Sequence, residues 1–205
     1  LLCGSLPKGY FDAFGNFRFL SQEPEGKLAL AHYDAAFALQ EIVLLQTLYT
    51  DRFFQLRRLD EGFCMMSASL LVRLETGAET ARQSLDAKDG WSFAAMQETD
   101  GVLYALTRNL YGIELPELRK FTPDTLSALE SDVCTSEITG LGLRADGRLL
   151  MGNSEELFAY DTGSGETETL VRWQEIGANV LTEQPWELED GYLLFSPGDT
   201  SLQRL

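Results

Sequence analysis

Histidine is almost missing from this chain: among 205 residues only His32 carries an imidazole. A Ser–His–acid relay or a His-based zinc site would have to be built around that one side chain. No serine or cysteine is tied to it by a recognisable spacing, so a core or rim role is the plain expectation. Cysteine is also sparse. Cys3, Cys64 and Cys134 form an odd, widely spaced set with no Cys-x-x-Cys pair, so neither a structural zinc nor an intrachain disulfide is expected. Positive charge is in short supply, with 16 Lys and Arg against 32 Asp and Glu, for a net charge of −16. Phosphate backbones and anionic headgroups would be repelled by such a chain, which excludes nucleic acid as a partner. No run approaches the ~20 apolar residues that a membrane-crossing helix needs. An initiator methionine is missing as well: the chain opens Leu1-Leu2-Cys3-Gly4-Ser5, and residues 1–9 read as an amino-terminal tail.

What is present is a globular composition with a β bias. The hydrophobic fraction of 44% is enough to build a core, and 12 Phe, 7 Tyr and 3 Trp beside only 6 Pro suit strands. Five segments align without gaps: FGNFRFL at 14–20, DEGFCMM at 60–66, TDGVLYA at 99–105, ADGRLLM at 145–151 and EDGYLLF at 189–195. Each opens on a polar or tight pair, then glycine (asparagine in the first), then a hydrophobic strand. The third positions are Asn16, Gly62, Gly101, Gly147 and Gly191, spaced by 46, 39, 46 and 44 residues. That period matches a propeller blade. Asp-Gly and Glu-Gly between apolar runs mark hairpins, because glycine takes positive φ without a Cβ clash. Five in register predict hairpin turns at all five positions.

The remainder of each unit follows the same plan. A strand precedes each turn, as in FFQLRRL at 53–59, WSFAAMQ at 91–97 and EITGLGL at 137–143. A third strand ends in a large apolar residue and a turn, as at Tyr160-Asp161-Thr162-Gly163. A more polar fourth strand closes the unit: ALQEIVL at 38–44, ARQSLD at 81–86, LSALESDV at 126–133 and ETETLVRW at 166–173. The fold class expected is therefore all-β, a propeller of four-stranded antiparallel blades over residues 10–205. About four and a half blades are expected, with the chain stopping in the third strand of the fifth and the ring incomplete. Residues 27–49 are rich in Ala and Leu and admit a helical reading, but the repeat register places two strands there. Residues 108–117 read as a loop inserted between the second and third strands of the third blade.

LFAYDTGSGETETLVRW at 157–173 resembles the repeat of propellers related to the pyrroloquinoline-quinone dehydrogenases: an apolar strand ending in Asp, a Thr-Gly turn, then a Trp some ten residues on. Leu74-Glu75-Thr76-Gly77 echoes the turn without the Trp. The resemblance implies a scaffold and brings no cofactor with it, and none is expected. The Leu run before Cys3-Gly4-Ser5 is similar to the end of a bacterial lipoprotein signal, which makes Cys3 the candidate lipidation site. It departs from that signal at Leu2, where a small residue is usual. With the acidity and the blades, the chain resembles propeller-bearing surface lipoproteins of Gram-positive bacteria, some of them similar to ABC-transporter solute-binding proteins with an amino-terminal propeller.

Other candidate chemistry is thin. Glu155-Glu156, Asp60-Glu61 and Glu189-Asp190 are acidic pairs beside turns, where two carboxylates can bind Ca²⁺ or cleave glycosides, but where solvated turns are also acidic. Gly163-Ser164-Gly165 lacks the lysine and helix of a phosphate loop. Trp91, Trp173 and Trp186 suit either a sugar platform or packing between blades. The expectation is a non-catalytic binding or scaffold module, extracellular or on the cell surface, holding a protein domain, peptide or glycan on one propeller face. The rest of the same polypeptide is a further expected partner, and a lipid anchor is the only membrane attachment foreseen. The alternative is part of a propeller hydrolase or lyase whose catalytic residues lie beyond residue 205. A structural spacer is a third possibility.

Overall fold

Short apolar runs separated by glycine turns are satisfied most simply by an antiparallel meander, since each strand then pairs with its chain neighbour. The chain adopts that solution repeatedly. The structure, a computed structural model, describes residues 8–11, 17–22, 28–33, 38–44, 53, 55–59, 61–86, 89–176, 184–188, 191–195 and 202–204. The first sheet holds β1 (Lys8–Phe11), β2 (Phe17–Gln22), β3 (Leu28–Tyr33) and β4 (Leu39–Leu44). The second holds β5 (Gln55–Arg58), β6 (Phe63–Met66), β7 (Leu70–Glu75) and β8 (Ala78–Ser84). The third holds β9 (Trp91–Thr99), β10 (Val102–Asn109), β11 (Glu117–Phe121) and β12 (Asp132–Val133). The fourth holds β13 (Gly140–Leu143), β14 (Leu149–Gly152), β15 (Glu156–Tyr160) and β16 (Thr167–Arg172), followed by the one-turn helix α1 (Trp173–Ile176). The fifth holds three strands, β17 (Gln184–Leu188), β18 (Gly191–Phe195) and β19 (Leu202–Arg204).

Every pairing is antiparallel, every sheet runs in chain order, and none of the sheets closes on itself among the described residues. The fold is therefore all-β, built of propeller-type blades. Residues 28–33 and 39–44 are strands, not a helix. β1 begins at Lys8, inside the segment expected to be tail.

Contacts divide the chain into two units, residues 1–86 with 123–127, and residues 87–122 with 128–205. In the first unit the leading strands β1 and β5 of the two sheets are neighbours. The core of the second sheet comes from Leu56, Met65, Leu70, Val72 and Leu74. Its outer strand β8 alternates partly buried and exposed residues, as a rim strand with one solvated face must. The buried Arg73 is held by Thr80 Oγ1 at 2.9 Å, by the Glu61 carbonyl at 3.0 Å and by an ion pair with Glu75.

In the second unit β9, β13 and β17 stand side by side, so leading strand packs on leading strand. Two buried side chains of β9 fasten the third sheet to the fourth. Gln97 donates to the Leu141 carbonyl at 3.4 Å and Thr99 to the Gly147 carbonyl at 2.8 Å. A Cβ on Gly142 would lie 2.1 Å from the Pro185 carbonyl oxygen, so only glycine lets β13 approach β17 this closely. Leu106, Leu118, Leu141, Leu149, Met151 and Phe158 form one core shared by the third and fourth sheets.

Two elements differ from the expected plan. The fourth strand of the third blade, expected over 126–133, is reduced to Asp132–Val133 and a single bridge from Ala128 to Phe121. The reason is local: the buried Leu126 takes φ 52°, a left-handed conformation through which no extended strand runs. Trp173, expected to end a strand, opens α1 instead. It is buried against Leu150 and Leu157 and donates Nε1–H to the Asn153 carbonyl at 2.8 Å.

Candidate functional site

At one end of the third sheet Trp91 pairs across from Asn109, and Glu117 pairs with both Thr107 and Val133. Between Asn109 and Glu117 the chain leaves the sheet as Leu110-Tyr111-Gly112-Ile113-Glu114-Leu115-Pro116. Apolar residues in a loop normally turn inward, because burial gains roughly 25 cal/mol per Å². Here they do not. Leu110 is 71% exposed, Tyr111 69%, Ile113 74% and the adjoining Val133 66%, with Leu115 also exposed. These five are half of the ten exposed large apolar residues among the described ones, so exposure is concentrated in one corner.

The loop is held rigidly at its base. Leu110 N–H donates to the Gly90 carbonyl at 2.7 Å, and Gly112 N–H to the Asn109 carbonyl at 3.1 Å. Asn109 is buried, and its Oδ1 accepts from Tyr111 N–H at 3.0 Å while its Nδ2 has no hydrogen-bond partner among the described residues. Gly90 takes φ 69°, and a Cβ there would lie 2.3 Å from Tyr111 Cε2, so the tyrosine ring rests on bare backbone. Beyond the loop, Cys134 N–H donates to the Pro116 carbonyl at 2.9 Å.

Two of the cations near this corner, Arg119 and Lys120, are paired with carboxylates, and Arg108 donates to the Thr139 carbonyl. Arg119 lies over the Trp91 ring at 5.6 Å and donates Nε–H to Glu117 at 3.1 Å. Lys120 Nζ pairs with Asp132 at 2.6 Å, a bond that holds its ammonium above the ordinary lysine range. Tyr160 donates to the same carboxylate at 3.3 Å; burial, then the charge of Asp132, raises its phenol. Burial, reinforced by Asp132, pushes the Cys134 thiol up to about 11. Glu114, exposed in the loop itself, has no ion-pair partner among the described residues.

The residues singled out in the sequence fall apart in space or into turns. Gly62 (φ 83°), Gly101 (φ 71°) and Gly147 (φ 88°) lie between the first and second strands of their sheets, and Gly191 (φ 152°) opens β18 opposite Leu188. Asn16, Cys3, Asp60, Glu189 and Asp190 lie outside the described residues. His32 is on β3, in register with Arg18 and Glu41. Glu156 accepts from the Thr169 hydroxyl at 2.9 Å. The amides of Gly163 and Ser164 both point at Asp161 Oδ1, at 2.9 and 2.8 Å, which occupies the Gly-rich turn and holds that carboxyl below its usual range. Trp173 is buried, Trp91 lies under Arg119, and Trp186 is on β17, so no tryptophan platform includes Trp173. Among the described residues no group of three or more His, Cys, Asp or Glu is placed to hold a metal ion.

No protein-family model and no curated protein matches the chain. Among solved structures it is similar to a computationally designed protein, Ika8, with a TM-score of 0.56 and 11% identity over 93% of this chain and 55% of that one. The likeness shows the fold alone. The chain spans little more than half the length of that protein. With 253 solved chains matching, the architecture is too widely used to carry an activity with it.

The apolar corner is the feature that sequence reading missed. The insertion expected over 108–117 lies between β10 and β11 as residues 110–116, with 108, 109 and 117 in the strands, and the exposure of its Leu, Tyr and Ile is not written in the sequence. The available signal was a run of large apolar residues inside an insertion, opened by Asn109 and closed by Pro116.

Proposed function

We propose that the chain is a non-catalytic binding or scaffold module of a secreted or surface-anchored bacterial protein, with Cys3 as its lipid anchor point. An accessory domain of a solute-binding lipoprotein fits this reading. The observation that carries the binding role is the exposed apolar corner of Leu110, Tyr111, Ile113 and Val133 on a rigid sheet end. Binding residues concentrate on loops that a stiff scaffold presents, and an apolar surface kept in water is costly unless something covers it. Among the described residues no group of three or more His, Cys, Asp or Glu offers a comparable constellation.

The test is to probe peptide and glycan arrays with the labelled chain, and to assay it in parallel on hydrolase and lyase substrate panels. Retention of a ligand class without turnover is the expected result. Turnover of any substrate that survives serine substitution of Leu110 and Ile113 would replace the module with an enzyme. For the anchor, Cys3→Ala in the complete gene should abolish incorporation of a fatty-acid label in a Gram-positive host.

A further inference from the structure

We propose that the Leu110–Leu115 loop and Val133 form a preorganised docking site for a polypeptide whose apolar anchor residues are flanked by lysine or arginine. The proposal rests on the binding-module reading and specifies the surface and the partner. Three independent features converge on it. The first is apolar: four side chains are each about two-thirds or more exposed at one sheet corner. A partner that supplies a leucine, phenylalanine or tryptophan gains most by covering them.

The second is rigidity. Tyr111 is 69% exposed and yet fixed on its inner side by Gly90, whose missing Cβ is what makes room for the ring. Three backbone amides at the loop base are bonded, to Gly90 and to both oxygens of Asn109. Asn109 is itself buried, with an Nδ2 that finds no partner among the described residues, unlike the side chains of an ordinary solvent-facing turn. A surface ordered before contact loses less freedom on binding.

The third is charge. Glu114 projects from the loop with no ion-pair partner among the described residues, while Arg119 and Lys120 are spent on Glu117 and Asp132. With a net charge of −16 over the whole chain, the exposed Glu114 on this corner favours a cationic flank on the partner. The same net charge disfavours an anionic bilayer, into which exposed leucine and tyrosine would otherwise insert.

The experiment is selection of random peptides from a display library on the full chain, followed by fluorescence anisotropy of the selected peptides. Peptides that pair an aromatic or aliphatic anchor with Lys or Arg are expected, and their affinity should fall as salt rises. The Leu110→Ser/Ile113→Ser variant should lose about tenfold or more in affinity, the range of a removed hot spot. Glu114→Lys, which leaves every apolar contact in place, should weaken the same peptides and flatten their salt dependence. Selected peptides that bind both variants as well as the native chain would overturn the docking site while leaving the binding-module reading intact. Failure to select any peptide would overturn the site, and with an empty glycan array the module reading too. Loop-dependent binding to phosphatidylcholine vesicles with no selected peptide would assign the corner to a membrane surface and reject the proposal.

Discussion

Gly62 and Gly147 have nearly the same backbone conformation, φ 83° and 88°, but different surroundings. A Cβ on Gly62 would lie 2.2 Å from the Leu74 carbonyl oxygen, whereas the nearest atom to one on Gly147 is Thr99 Oγ1 at 3.7 Å. Gly147→Ala should therefore cost only left-handed strain, about 1–2 kcal/mol. Gly62→Ala adds a steric collision with backbone and should cost more, and urea melts of the two variants will rank them. The thiols differ as clearly from ordinary cysteine. Burial pushes Cys64 up to about 12 and Cys134 to about 11. The thiolate is the reactive form, so peptide mapping after brief maleimide treatment at neutral pH should find both unlabelled in the folded chain and labelled in denaturant. Because the folded pKa lies above the unfolded one, the folded state binds more protons between them. Stability contributed by Cys64 is thus complete below about 9 and falls as pH rises toward about 12. Cys64→Ala should remove that part of the alkaline slope.

At the scale of elements, the third blade and its insertion behave as one device. Gly90→Ala would bring a Cβ into the Tyr111 ring at a position that also needs φ 69°. Its expected effect is faster hydrogen exchange at the Leu110 and Gly112 amides, with the β9–β10 pairing still protected. The turn between β13 and β14 is tied differently. Glu187 accepts from Arg144 Nε at 2.9 Å and from the Ala145 amide at 2.7 Å, and Arg148 bridges Asp146 and Glu168. Glu187 is mostly buried, so Glu187→Ala should cost about 1.5–3 kcal/mol, the range of a hydrogen bond to a charged group. The loss measured by denaturation should change little at high salt, because a mostly buried pair is screened far less than an exposed one. Hairpins at this scale were legible because a glycine between two apolar runs leaves few alternatives. The fourth strand of the third blade was not, since ‘LSALESDV’ alternates well enough for a strand, and only the left-handed Leu126 interrupts it.

At the scale of the whole chain, the strand-dominated fold predicts a far-ultraviolet circular dichroism spectrum with helix below about a tenth. More than about a quarter would be incompatible with an all-β domain. The acidity acts here too, since a charge of −16 opposes close approach of like-charged molecules. The amino-acid sequence by itself determined the fold class, the blade period and the scarcity of histidine and cysteine. Each of these is a matter of local pattern or of composition, and needs no knowledge of which distant residues meet. Tertiary structure alone decided that Gly142 must be bare so that β13 can reach Pro185, that Trp173 turns into a helix and is buried, and that Tyr111 rests on Gly90. It also decided that Leu110 and Ile113 face water, because whether an apolar side chain finds cover depends on the space its neighbours leave, and a linear sequence does not contain that space.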